Sequence, residues 1–189
     1  MHEEFKKHIG EIAKLTDDEY KCILPLLTFK KLKKHQFLVQ EGDRVNQTYW
    51  VRKGLLKAYF INEKGKEHIL QFAMENWWIS DYQAYSLKTP AILNIDCLED
   101  TELLCLTDKN REKLCAELHK MEHYFRKKAN TGFVELQRRM LSYLTNDAQK
   151  RYRLFMQTYP GLNARLPKKL IASYLGVSRE TLSRIAKKK

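Results

Sequence analysis

The chain has few of the residues that interrupt or cross-link a fold. Its 189 residues include four prolines and seven glycines, and no proline occurs between residues 107 and 159. The four cysteines form no CxxC pair, which argues against a zinc ribbon and favours reduced thiols in a cytoplasmic protein. No run reaches the roughly 18 apolar residues of a membrane span, and no signal-peptide pattern opens the sequence. These absences predict a cytoplasmic protein that has no membrane contact.

Acidic residues are scarce in the last third of the chain. Residues 1–120 contain 19 Lys+Arg and 19 Asp+Glu, whereas residues 121–189 contain 16 Lys+Arg and only 4 Asp+Glu. The whole net charge of +12 therefore lies after residue 120. A neutral module joined to a basic one indicates a polyanionic partner for the basic module. A cationic tail that serves only solubility is the alternative.

Short apolar runs separated by glycine-containing turns extend from about Phe29 to Leu106, a pattern typical of an antiparallel sandwich or barrel. The segment Asn62-Glu63-Lys64-Gly65 is predicted to close a hairpin, with Gly65 at positive φ. Before this region, Thr16 and Glu19 have capping-box spacing and predict a short helix that stops at Pro25.

From Asp108 the apolar residues recur at helical steps of three, four or seven. They predict one long helix, or two closely joined helices, from about Asp108 to about Leu144, with a bend or break at residues 130–132. A helix of this length exceeds what a small β module can bury, which favours a dimer seam over a helix that covers its own domain. The predicted seam residues are Met121, Phe125, Gly132 and Leu136.

One constellation on this helix could be mistaken for a metal site. Cys115, His119 and His123 fall at i, i+4 and i+8. Successive steps of four rotate about 40° apart, so three such ligands reach one ion poorly. We expect a solvated or half-buried face and no metal.

Residues 168–187 fit a helix-turn-helix position by position. Ala172 stands where two helices cross closely, and Gly176 stands in the tight turn, where a positive φ is needed. Apolar side chains that would hold the two helices together are Ile171, Leu175, Val177, Leu182 and Ile185. The exposed face of the second helix then carries hydroxyls for phosphates, guanidiniums for guanine and a carboxylate for cytosine. An ordinary helical hairpin with a charged surface is the alternative.

With these features the chain resembles the Crp/Fnr regulators, which join a cyclic-nucleotide-binding-type β-roll to a dimerisation helix and a C-terminal helix-turn-helix. The stretches that carry the resemblance are Tyr49-Trp50-Val51-Arg52-Lys53-Gly54, Asn62-Glu63-Lys64-Gly65-Lys66-Glu67 and Ser178-Arg179-Glu180-Thr181-Leu182-Ser183-Arg184-Ile185. The resemblance implies an α+β chain with an effector domain at 1–107, a dimerisation helix at 108–144 and a DNA-binding domain at 145–189. The loop at residues 165–176 looks most like a wing-poor subgroup common in Bacteroidetes-type regulators.

The resemblance also implies roles for individual residues. Base readers would be Arg179, Glu180 and Arg184. Phosphate contacts are expected from Ser178, Thr181, Ser183, Lys168, Lys169 and Lys187. Double-stranded DNA, a second copy of the chain and RNA polymerase are the implied partners. An effector in the β-roll would act on a hinge near residues 143–147.

The effector pocket departs from the family pattern. Trp78, Asp81, Tyr82, Ala91 and Ile92 are the candidate pocket residues. Asp81 could accept from a ribose hydroxyl, but Ala91 and Ile92 stand where the family has an Arg-Ser pair for the cyclic phosphate. A buried phosphate would lack its charge-assisted partner. We therefore predict no cofactor and no binding of cyclic AMP in the family manner; the pocket rings are either an aromatic effector site or core filling.

Two other function classes compete. One is a nucleotide-binding regulatory subunit whose basic C-terminal domain docks on an acidic protein or RNA. The other is an enzyme, but the sequence has no Walker loop, no G-x-S-x-G elbow and no paired carboxylates in a distinct cleft. A dimeric, sequence-specific DNA-binding transcription regulator that reads an inverted repeat is the favoured function.

Overall fold

The structure is a computed structural model that describes residues 2–187. A β-sandwich with helices packed on it comes first, and helices alone come after it. None of the described helices is long and apolar enough to cross a membrane. In chain order the elements are α1 (His2–Gly10), α2 (Asp17–Ile23), β1 (Leu27–Leu32), β2 (Phe37–Val39), β3 (Gln47–Lys53), β4 (Leu56–Ile61), β5 (Glu67–Ala73), β6 (Trp78–Ile79), α3 (Tyr82–Leu87), β7 (Asn94–Cys97), β8 (Thr101–Thr107), α4 (Asp108–Glu117), α5 (His119–Thr145), α6 (Ala148–Thr158), α7 (Pro160–Arg165), α8 (Lys168–Leu175) and α9 (Arg179–Lys187).

Two four-stranded sheets make the sandwich, in the orders β1-β8-β3-β6 and β2-β7-β4-β5. Strand β8 pairs antiparallel with β1 and with β3, and β7 pairs antiparallel with β2 and with β4. This jelly roll, followed by a long helix and a helical C-terminal part, confirms the predicted α+β fold class.

Strand β3 is buried on both faces. Tyr49 and Val51 point between the two sheets into the sandwich core, while Trp50 lies on the opposite face among helices. Because successive side chains of a strand alternate, a strand covered on both sides needs a continuous apolar run. The run Tyr49-Trp50-Val51 meets that need.

A second core lies between that outer sheet face and the helices. Helix α1 contributes Phe5, whose ring lies 4.8 Å from Trp50, and His8, which is 4% exposed. Burial, with a smaller contribution from the nearby charge of Lys128, lowers the pKa of His8 to about 4, although Glu11 acts in the opposite direction. Helix α1 was not predicted from the sequence.

Two local predictions are confirmed. The Thr16 hydroxyl accepts from the Glu19 amide at 3.2 Å, and the Glu19 carboxylate accepts from the Thr16 amide at 2.7 Å, which forms the capping box. At the hairpin turn Gly65 has φ +71°, and the Asn62 side chain accepts from the amides of Lys64 and Lys66.

The prediction for the long helix was right about two joined helices and wrong about the break. The chain turns at Leu118, where φ is −134° and ψ is 91°, and α5 continues without interruption through residues 130–132. The turn lets Leu114 of α4 and Met121 and Phe125 of α5 enter the same buried cluster. A mid-helix glycine such as Gly132 costs only about 1 kcal/mol, too little to end a helix of 27 residues.

A short helix, α7, lies between α6 and the helix-turn-helix. Pro160 begins it at the first position, where a missing amide is harmless. Between α6 and α9 the described backbone has helices and turns and no strand.

The described chain divides into two compact units. One contains the residues up to Tyr59 together with Gln71–Ala129, and the other contains Phe60–Leu70 together with the residues from Asn130 onward. The outer half of the β4–β5 hairpin therefore belongs to the unit that holds the helix-turn-helix, and α5 contributes to both units. The functional division at residues 107 and 144 does not coincide with these boundaries and stays a proposal.

Candidate nucleic-acid interface

The turn between α8 and α9 has the backbone that a helix-turn-helix requires. Gly176 ends α8 in the left-handed region, with φ +69° and ψ 30°. Its amide donates to the Ser173 carbonyl, and the Val177 amide donates to the Ala172 carbonyl at 3.0 Å. A β-carbon at Gly176 would lie 3.2 Å from Cε1 of Tyr143, so both backbone conformation and space favour glycine.

Apolar side chains hold the two helices against each other. Ala172 is 2% exposed, which agrees with the prediction that only a small residue fits there. The other buried side chains in this part of the unit are Ile171, Leu175, Leu182, Phe155, Leu162 and Leu166. Helices α6, α8 and α9 thus share one core, and α9 has one buried face.

The opposite face of α9 is open and polar. It forms a concave surface lined by Arg179, Glu180, Ser183, Arg184 and Lys187. Five of the nine residues assigned from the sequence to DNA lie on this one surface. This surface carries two guanidiniums, one ammonium and one carboxylate, a donor-rich set that suits acceptors on guanine edges and phosphates.

Ser178 is the N-cap of α9. Its hydroxyl accepts from the Thr181 amide at 3.0 Å and lies 3.0 Å from the Thr181 hydroxyl. Hydrogen bonds from its own backbone amide and from the Ser178 side chain hold the pKa of Glu180 below its ordinary value. Glu180 is therefore an acceptor at neutral pH, which is the state required to accept from cytosine N4.

Lys168 and Lys169 occupy the first turn of α8, where both side chains are exposed. Pro167 caps this helix with no side-chain hydrogen bond. Positive charge at a helix N-terminus opposes the helix dipole, and a bound phosphate would offset that opposition.

The structure gives Asp81, a predicted effector residue, a structural role. Its side chain is 1% exposed and caps α3 by accepting from the Ala84 amide at 3.1 Å. The other carboxylate oxygen accepts from the amides of Ile92 at 2.8 Å and Leu93 at 3.0 Å. Three backbone amides thus occupy the carboxylate that a ribose hydroxyl would need.

The remaining effector candidates lie in different environments. Trp78 packs among the helices, with its indole N–H donating to the Tyr124 hydroxyl at 2.8 Å. Ala91 is buried in the sandwich core, whereas the side chains of Tyr82 and Ile92 are both 43% exposed. The residues present do not fit a cyclic phosphate, because the positions expected to hold it carry an aliphatic core residue and an exposed isoleucine.

The predicted seam residues of α5 fall into two groups. Met121 and Phe125 are buried in the chain's own helical core, which leaves little of either side chain for a second copy. Gly132 and Leu136 are exposed, in a region where further apolar side chains share the helix surface. The most exposed of these are Phe133 at 68%, Leu136 at 57%, Met140 at 67% and Leu144 at 76%.

The turn at Leu118 also separates Cys115, on α4, from His119 and His123, on α5, so the three do not share one helix. Burial is the main cause that raises the pKa of the Cys115 thiol to about 11. Such a thiol is protonated at neutral pH and is a poor metal ligand.

One polar cluster in the C-terminal unit was missed from the sequence. Arg139 and Tyr143, one turn apart on α5, both contact the backbone of Tyr174 at the end of α8. An Arg and a Tyr at i and i+4 are a visible helix-surface pair. Their acceptors, however, are carbonyl oxygens, which have no sequence signature.

A jelly roll, a long helix and a helix-turn-helix with an exposed second helix are together typical of regulators that join a cyclic-nucleotide-binding-type domain to a DNA-binding domain. Residues 29–117 match the family model for the cyclic nucleotide-binding domain. The regulatory protein HlyX of Actinobacillus pleuropneumoniae is 25% identical over 167 residues, covering 82% of this chain and 69% of HlyX. The transcriptional activator Anr of Pseudomonas aeruginosa is 24% identical over 171 residues, covering 82% of this chain and 68% of Anr.

Among solved structures, FixK2 from Bradyrhizobium japonicum superimposes with a TM-score of 0.73 at 17% identity, covering 85% of this chain and 83% of FixK2. That likeness shows a shared fold. These comparisons confirm the resemblance to the Crp/Fnr transcription regulators that the recognition-helix motif predicted.

Proposed function

We propose that this chain is a homodimeric, sequence-specific DNA-binding regulator that reads an inverted repeat through α9 and does not bind cyclic AMP in the usual way. The observation that carries the proposal is the concave, exposed face of α9, which brings Arg179, Glu180 and Arg184 together at the surface of a packed helix-turn-helix. RNA polymerase is the proposed protein partner.

Arg179, Arg184 and Glu180 are the proposed base-reading residues. An arginine that donates two hydrogen bonds to guanine O6 and N7 contributes about 1–3 kcal/mol of discrimination against other bases. Ser183 and Lys187 line the same surface, and Ser178 and Thr181 stand at the helix N-terminus. Together with Lys168 and Lys169 they supply phosphate contacts that set the position of the domain on the duplex.

The dimer is proposed on the exposed half of α5. Phe133, Leu136, Met140 and Leu144 recur at steps of three and four, so they form one stripe along the helix. Four large apolar side chains, each more than half exposed, are costly to keep in water. A second copy of the same helix would cover them, with Gly132 at the end of the stripe allowing close approach of the two backbones.

The effector domain is proposed to have lost the family's phosphate site. The Asp81 carboxylate serves as the acceptor for three amides, and Ala91 is part of the core. If the domain responds to a ligand, that ligand is not recognised through these two positions.

The test is selection of bound duplexes from a random DNA pool at a stated salt concentration, followed by binding measurements on the selected site. An inverted repeat with half-sites about 34 Å apart, centre to centre, is expected. Arg184→Ala should lower the affinity by about 1–3 kcal/mol and abolish discrimination at one base pair per half-site, whereas Lys168→Ala should weaken all sequences equally and reduce the salt slope by about one. Equal binding to every duplex, or stronger binding to RNA or an acidic protein, would refute the proposal.

A further inference from the structure

Arg139, on α5, contacts two other elements of the C-terminal unit at once. From α5 its Nη2 donates to the Ile69 carbonyl at 2.8 Å and to the Tyr174 carbonyl at 3.0 Å, and its Nη1 donates to the Leu70 carbonyl. The guanidinium carbon also lies 3.9 Å from the centre of the Tyr174 ring. One side chain thus joins the dimer-seam helix, the β4–β5 hairpin and the first helix of the helix-turn-helix.

Neighbouring contacts reinforce the same junction. The Tyr143 hydroxyl donates to the Tyr174 carbonyl, and the Tyr143 ring packs against Gly176 in the turn before the recognition helix. On the hairpin side, the Ser173 hydroxyl donates to the Glu67 carbonyl at 2.6 Å. The last residues of α8 are therefore tied to both α5 and the hairpin.

The chemistry explains why an arginine stands here. Tyr174 is the penultimate residue of α8, so its carbonyl lies at the negative end of the helix dipole, where a cation is favoured. Arg139 supplies that cation and shares this acceptor with the Tyr143 hydroxyl. A guanidinium can also fork its donors toward the hairpin, which a lysine ammonium cannot do with the same planar geometry.

The position of Arg139 on the seam helix gives the junction a consequence for DNA binding. Arg139 lies between Leu136 and Met140 in sequence, on the half of α5 that carries the apolar stripe. Only Asn146 and Asp147 connect α5 to α6, and a covalent connection does not by itself fix the orientation of the helices beyond it. A one-base-pair change in the spacer moves a half-site by about 3.4 Å. A dimer can sense that displacement only if each helix-turn-helix is held firmly on its seam helix.

We propose that Arg139 is a positioning residue, which clamps the helix-turn-helix to α5 and thereby sets the half-site spacing that the dimer accepts. The proposal rests on the proposed function, since spacing has meaning only for a dimer on an inverted repeat. Arg139 does not touch DNA in this role, so base discrimination within a half-site does not depend on it.

The experiment uses the full chain and the duplex obtained by selection, together with duplexes whose spacers are shortened or lengthened by one and two base pairs. Binding of the wild type, Arg139→Ala, Arg139→Lys and Tyr143→Phe is compared. Arg138→Ala is the matched control, because Arg138 is the adjacent residue on α5, carries the same charge and makes an exposed ion pair with Glu135. Far-UV circular dichroism and thermal melting establish that each variant is folded.

The wild type and Arg138→Ala should lose at least about tenfold in affinity for each base pair of spacer change. Arg139→Ala should lose less than about threefold while keeping the wild-type preference at the base pair read by Arg184, and Arg139→Lys should be intermediate. A folded Arg139→Ala with the wild-type spacing preference would overturn the proposal; if this variant does not fold, Arg139→Lys with unaltered spacing preference would do the same. A wild type that binds single half-sites without spacing preference would instead refute the inverted-repeat proposal, and the role of Arg139 with it.

Discussion

Replacement of Asp81 by alanine separates a structural carboxylate from a ligand-binding one. The wild-type side chain accepts from three backbone amides at 2.8–3.1 Å and is 1% exposed. A buried amide left without an acceptor costs about 1–3 kcal/mol, and loss of an N-cap alone costs about 1 kcal/mol. With partial relaxation of the loop, we expect Asp81→Ala to destabilise the ligand-free protein by about 3–4 kcal/mol.

The matched control is Asp147→Ala. Asp147 is also an N-cap aspartate, but it is exposed, and among the described residues its side chain accepts from one amide, that of Lys150, at 2.8 Å. Its loss should cost about 1 kcal/mol. The assay is equilibrium unfolding in urea of both variants and the wild type, with and without cyclic AMP.

Two results would refute the structural role of Asp81. One is an Asp81→Ala protein as stable as the wild type without ligand. The other is micromolar binding of cyclic AMP that stabilises the wild type and is abolished in Asp81→Ala. Because a ligand-binding carboxylate does not need to stabilise the empty protein, the two roles predict opposite behaviour in the absence of nucleotide.

Three further outcomes are expected. Burial lowers the pKa of His8 from its ordinary 6.5 to about 4 in the folded chain, so the unfolded chain binds the proton first as the pH falls. The free energy of unfolding measured in urea should therefore keep its full value above pH 6.5 and fall by about 3 kcal/mol toward pH 4. The variant His8→Leu should flatten this pH dependence. Gly176→Ala should destabilise the C-terminal unit by about 1–2 kcal/mol, because the positive φ of Gly176 and its contact with Tyr143 both disfavour a β-carbon. A melting temperature equal to that of the wild type would contradict this. Leu136→Asp combined with Met140→Asp should give monomers in analytical ultracentrifugation, with tight binding to the inverted repeat lost, whereas an unchanged dimer would place the seam elsewhere.

The recognition motif was predictable because its determinants are local in sequence. A small residue at Ala172, a glycine at Gly176 and a capping serine at Ser178 each answer a backbone requirement within about ten residues. The same holds for the capping box of Thr16 and Glu19 and for the turn at Gly65. In each case residue type and spacing together leave little choice of conformation.

The helix boundary at Leu118 was not predictable on those grounds. No proline or glycine stands at residues 117–119, and helix propensity alone favours continuation. The turn there lets α4 and α5 both reach one core, built with Phe5 and Trp50 from distant parts of the chain. Tertiary packing decided the boundary, and it also kept α5 helical across Gly132, where local propensity suggested a break.

Asp81 and Arg139 show the same limit for function. A carboxylate at position 81 has the chemistry to accept from a sugar hydroxyl or from backbone amides, and the fold determines that it accepts from three amides. An arginine on a basic helix has the chemistry to bind a phosphate, yet the terminal nitrogens of Arg139 donate to the carbonyls of residues about 70 and 35 positions away. Since backbone acceptors are present at every position, no residue pattern identifies which ones a side chain will meet. Net charge and the motif therefore indicate Arg179 and Arg184 as candidates for DNA contact, but charge alone could not separate them from Arg139, whose terminal nitrogens donate to backbone carbonyls inside the protein.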